Sequence, residues 1–156
     1  MALTKLGVGA FPSDTILQVK EGGRTTRFEG TGGTSFADCG VSVNITPSST
    51  SSKILVRVSG TLAPSGSGAV NGIRCLVKLL RDSTTISIKT VGVSTGASNS
   101  QGCRHTFAIS HLDEPSTTSA ITYKTQGKIN DTANSGTCRF QEGGSRSEIV
   151  LIEIAG

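Results

Sequence analysis

No stretch of this chain places apolar residues at i, i+3, i+4 and i+7 over three turns, so no helix has a stripe to bury. What recurs is short segments of alternating or continuous apolar residues, each closed by Gly, Ser, Thr, Asn or Pro. That pattern specifies strands joined by turns, because alternation at period two puts one face of a strand inward. Composition points the same way: Gly, Ser and Thr make 61 of the 156 residues, Trp is absent, and only 17% of residues are charged. Thr fits a pleated sheet, while Gly and Ser serve turns. The expected fold is an all-β, two-sheet antiparallel sandwich of about ten strands with almost no helix.

The expected strands cover residues 15–20, 25–29, 35–46, 53–63, 72–81, 84–91, 103–113, 120–128, 137–141 and 148–155. The turns between them fall at 21–23, 30–33, 47–52, 64–68, 92–102, 114–115, 130–136 and 143–144, and Asp82-Ser83 makes a tight hairpin. Residues 1–13 carry no pattern and read as an arm, leaving 14–156 as one domain, a size at which a core forms without staples.

Two strands say most about architecture. In 53–63, Ile54, Val56, Val58 and Leu62 share one face, while Leu55, Arg57, Ser59 and Thr61 share a mostly wet one. In 148–155, Ile149, Leu151 and Glu153 alternate with Val150, Ile152 and Ile154, so both faces are largely apolar. Such a strand belongs in the middle of a sheet covered on both sides. A two-layer sandwich covers one side, so the other cover is expected to be a second subunit, with Ile149, Val150, Leu151, Ile152 and Ile154 as the oligomer interface. Glu153 then needs a hydrogen-bonded or cationic partner.

Several function classes lose support. The longest apolar run, 149–152, is far below the ~20 residues of a membrane-spanning helix, and the first residues lack the apolar stretch of a secretory signal. The net charge is +4, but the 15 Lys and Arg are scattered singly and six aromatic residues offer little stacking, so neither a membrane nor a nucleic-acid partner is expected. Cys39, Cys75, Cys103 and Cys138 have no C-x-x-C spacing; buried free thiols are the simpler reading, and one or two disulfides the other. His105 and His111 share a face with Cys103 but stand about 20 Å apart along a strand, too far for one metal. Asp113 and Glu114 are consecutive and point to opposite faces, which suits a capped turn before Pro115 rather than acid–base chemistry. No nucleophile elbow or phosphate loop is present, so no enzyme, cofactor or metal is expected. Asn44-Ile45-Thr46 and Asn130-Asp131-Thr132 match the glycosylation pattern, which a Thr-rich chain meets by chance.

Four runs occur in order: ITPSSTSSKILV at 45–56, LRDS at 80–83, LDEPSTTSAITYK at 112–124 and IEIAG at 152–156. Together they resemble a domain of tailed-bacteriophage virion proteins, often found at tail-fibre ends, over residues 15–156. The resemblance implies a homotrimeric jelly-roll-like sandwich, similar to the tumour-necrosis-factor type, with a structural or attachment role in the virion and no catalysis.

Within that resemblance the first expectation is a trimeric capsid decoration protein that contacts other virion proteins, above all the major capsid protein. Its arm would attach to the particle through Leu3, Leu6, Val8 and Phe11. The alternative is a tail-fibre or spike tip that binds a host surface glycan or receptor through loops bearing Gly66, Ser67, Ser94, Asn99 and Gln101, whose polar side chains can bond sugar hydroxyls.

Overall fold

The computed structural model describes residues 12–31, 35–65, 73–93, 104–129 and 137–156. They form ten strands: β1 (Ile16–Arg24), β2 (Phe28–Thr31), β3 (Ala37–Ile45), β4 (Lys53–Ser65), β5 (Ile73–Arg81), β6 (Thr84–Val93), β7 (His105–Asp113), β8 (Ile121–Ile129), β9 (Thr137–Phe140) and β10 (Ser147–Ile154). One 3-10 turn, Glu142–Gly144, is the single helical element among the described residues.

All pairings are antiparallel, and the strands divide into two sheets. In the first, Ile54 of β4 faces Glu153 of β10 and Asp113 of β7, while Leu62 faces Phe140 of β9 and His105 of β7. β9 and β10 therefore lie end to end on one side of β4, and β1 and β2 lie end to end beyond them. The sheet has four positions across: β1/β2, β10/β9, β4 and β7. The second sheet runs β3, β8, β5, β6. Every connection crosses between sheets except the continuation of β1 into β2, the turn from β9 into β10 and the β5–β6 hairpin, so the fold is an eight-position jelly roll.

Between the sheets lies one core. Ile54, Val56, Val58, Leu62, Ile149, Leu151 and Phe140 meet Val41, Val43, Ile45, Val77, Leu79, Ile121, Tyr123 and Ile129. β4 places its inward and outward residues as its alternation requires, and β10 is central, flanked by β1 and β4. The Asp82-Ser83 hairpin forms, with Asp82 at φ +51, a conformation Asp tolerates and a two-residue hairpin needs. The turn is pinned to β8 by Asp82 N–H donating to Thr122 O at 2.7 Å and Thr122 N–H donating to Asp82 Oδ1 at 2.9 Å.

Two expected breaks are strand instead. Residues 21–23 continue β1, and Gly30 belongs to β2. Gly22 serves close approach rather than a turn: a Cβ on it would meet Val43 Cγ2 at 2.7 Å and Ser42 O at 3.0 Å, so β1 packs there directly against the β3 backbone. Gly40, at φ +75, takes up a bulge in β3 where the register with β8 shifts.

A candidate assembly face

The two faces of β10 have different fates. Ile149, Leu151 and Glu153 are fully buried between the sheets, whereas Val150, Ile152 and Ile154 are half-buried on the outside of the first sheet. Of the five residues expected at an oligomer interface, Ile149 and Leu151 are thus corrected to the monomer core, because a side chain enclosed on every side has no surface for a partner.

Strand register shows what surrounds the other three. Val19 of β1 faces Ile152, Ile152 faces Leu55 of β4, and Leu55 faces Leu112 of β7. This apolar row crosses all four positions of the sheet, and its ends are open, Val19 at 55% and Leu112 at 49% exposure. Ile16, 61% exposed, extends it beside Ile154. Large apolar side chains are thus gathered on one exposed face of the first sheet.

Charges border the row. Lys53 faces Ile154, and Arg57 faces Val150 and Ser110. Arg57 is exposed and has no ion pair among the described residues. Beside it a shallow groove runs along β4, lined by Ser59, Ala108, Ser110, Glu148 and Val150. Glu148 of that lining pairs at 3.3 Å with Arg146, which also pairs with Glu21. Leu55, Val19, Ile16 and Leu112 were not expected at an interface. Each sits singly in its own strand, and only the cross-strand register brings them together.

Glu153 has the partners its burial demands. Its carboxylate accepts from Gln18 Nε2 at 2.5 Å, from Ser48 N–H at 2.6 Å and from Ser48 Oγ at 3.2 Å. Burial raises its pKa, yet the hydrogen bonds outweigh burial and hold the carboxyl below its ordinary value. The group ties the β3–β4 turn to β1 and β10 through charge-assisted bonds.

Asp113 is not a turn cap. It lies on β7 and accepts from Arg81 Nη1 at 2.9 and 2.8 Å and from Tyr123 Oη at 2.6 Å, which bolts the first sheet to the second. Burial, then the hydrogen bond to Asp113 and the charge of that carboxylate, push the Tyr123 phenol well above its usual range, so it stays a donor. The adjacent Glu114 is exposed, so no carboxylate pair faces a common site.

Cys75 on β5 and Cys138 on β9 form a disulfide across the sandwich, while Cys39 is free and buried, its thiol pushed up to about 12 by burial. The cysteines therefore divide between the two readings, and Cys103 lies outside the described residues. Among the described residues no group of three metal-ligating side chains converges, and His105 and His111 stay apart on β7. No helix among them is long and apolar enough to cross a membrane. Leu3, Leu6, Val8 and Phe11, and Gly66, Ser67, Ser94, Asn99 and Gln101, also lie outside the described residues.

No protein-family model matches this chain, and no curated protein sequence matches it. Similar solved structures exist. The structure of infectious bursal virus derived T=1 particles aligns over 92% of this chain at 12% identity with a TM-score of 0.48. The infectious bursal disease virus VP2 subviral particle aligns over 91% at 11% identity and 0.45, and the Gx strain of that virus over 90% at 10% and 0.42. This chain covers 37%, 40% and 41% of those chains respectively, about two fifths of their length.

Proposed function

We propose that this chain is a non-enzymatic structural subunit of a tailed-bacteriophage virion, held as a homotrimer on the capsid surface as a decoration protein. The observation that carries the reading is the apolar row Val19–Ile152–Leu55–Leu112, left open on the outside of a closed jelly roll. The choice of virion and the threefold number come from the resemblance of the four ordered runs. The face comes from the register. The particle contact is assigned to Leu3, Leu6, Val8 and Phe11, and support for that placement is local: Asp14 N–H donates to Ala155 O at 2.9 Å, so the chain reaches β1 at the rim where Ile16 and Ile154 begin the apolar face.

Light scattering of the full chain at micromolar concentration is expected to return three times the 16.0 kDa chain mass. Val150→Asp and Leu55→Asp should return the monomer with an unchanged far-UV spectrum. A monomeric parent, or a trimeric Val150→Asp, overturns the assembly face. Removing residues 1–11 should leave the trimer folded and empty the particle of it. Full occupancy by the truncated chain, or gold labelling confined to the tail, would favour the receptor-binding tip and its host glycan over decoration.

A further inference from the structure

The outer face of the second sheet carries a pattern of its own. Register pairs Leu76 with Lys128, Lys78 with Gln126 and Leu80 with Lys124 across the β5–β8 seam. Arg74 lies two residues before Leu76 on the same face of β5. Along the seam the order is therefore Arg74, Lys128, Lys78, Lys124, alternating between the two strands. Each step is two residues, about 6.8 Å along the strand, so the four cations span about 20 Å. Asp38 is the one carboxylate projecting from this face among the described residues; it accepts from Gln126 at 2.8 Å and from Lys124 at 3.3 Å. Apolar groups flank the cations on both sides. Phe36 lies under Lys78 and Lys128, whose Nζ atoms stand 4.2 and 4.9 Å from its ring centroid, and Ile88, 51% exposed, faces Lys78 from β6.

We propose that this seam is a docking track for an extended single strand of nucleic acid, with its phosphates on the four cations and its bases against Phe36 and Ile88. The spacing selects the ligand. An unstacked strand separates successive phosphates by roughly 6–7 Å, about twice the 3.4 Å they keep along a duplex, and the charge recurs whatever the base sequence. The apolar flanks give the bases a surface, which a sulfated glycan would not use. Charges scattered singly along the chain, which argue against such a partner in the linear sequence, are gathered here because a strand returns to the same face every second residue. This site is on the sheet opposite the assembly face and is independent of the trimer.

The test is fluorescence anisotropy of a labelled oligothymidylate of about 20 nucleotides with the full chain, from about 20 to 200 mM salt. The logarithm of the binding constant should fall linearly with the logarithm of salt, with a slope of about −2 to −3 for three to four phosphates neutralised. Lys78→Gln with Lys128→Gln should weaken binding at least tenfold and flatten that slope, each single variant should do part of this, and Asp38→Asn should tighten binding two- to threefold. Lys53→Gln with Arg57→Gln, on the other sheet, should change nothing. The proposal is overturned by absence of saturable binding at the lowest salt. It is equally overturned by unchanged affinity in both single and double variants, or by tighter binding of heparin or polyglutamate than of the oligonucleotide.

Discussion

The outward faces of the two sheets share a scaffold and differ in chemistry. Both belong to strands whose inward residues join one mainly apolar core. Outward, the first sheet presents Val19, Ile152, Leu55 and Leu112 in one row, whereas the second presents Arg74, Lys128, Lys78 and Lys124 along one seam. Fold requirements act chiefly on the inward set, and what the outward set holds in common across strands is the basis of the two proposals above.

The sharpest way to break the comparison is to truncate β10 on one face and then the other. Leu151→Ala should cost about 2–5 kcal/mol of unfolding free energy, because the cavity sits in a closed core. Ile152→Ala, one residue on, should cost under about 1 kcal/mol in a monomer, since its side chain is only half-buried there. Urea unfolding of both in a monomeric Val150→Asp background separates them. Equal losses would mean that the outward face is packed within the chain itself.

How far each face was legible follows from the same geometry. Alternation within one strand is visible in the sequence, which is why the inward residues of β4 and the central place of β10 could be read directly. Relations between strands are not. The row from Val19 to Leu112 draws on four strands, and the cation seam draws on Lys78 and Lys128, fifty residues apart in the chain but one step apart through register. Likewise Cys75 and Cys138 are 63 residues apart, and nothing in their spacing marks them as the pair that links the sheets. Gly22 misled for a related reason: a glycine demanded by the approach of another strand looks, in one dimension, like a glycine demanded by a turn.

A second test exploits Glu153, a carboxylate that the first sheet turns fully inward. Glu153 has a folded pKa below the ordinary 4.5, so its contribution is complete above the unfolded value and is lost as pH falls through the folded one. Melting temperature should therefore drop on acidification below about pH 4.5, and Glu153→Gln should remove part of that slope while lowering stability at neutral pH. A variant as acid-sensitive as the parent would assign the acid limb to other carboxylates, Asp38 among them, whose pKa is lowered chiefly by the hydrogen bond from Gln126.

The smallest effect is expected at Asp38, and it sharpens the comparison because it separates stability from surface chemistry. Asp38 and Lys124 form an ion pair at 3.3 Å, with side chains 57% and 30% exposed. Water and salt screen such a pair, so Asp38→Asn should change unfolding free energy by less than about 1 kcal/mol. The amide oxygen can still accept from Gln126, which limits the loss further. The equivalent change on the first sheet, Glu148→Gln, should be as mild, since Arg146 keeps Glu21 as a partner. If both variants melt with the parent, the charges outside the two sheets are not there for the fold. A loss above about 1 kcal/mol at Asp38 alone would instead make the pair part of how β3 holds to β8, where the bulge at Gly40 has already interrupted the ladder.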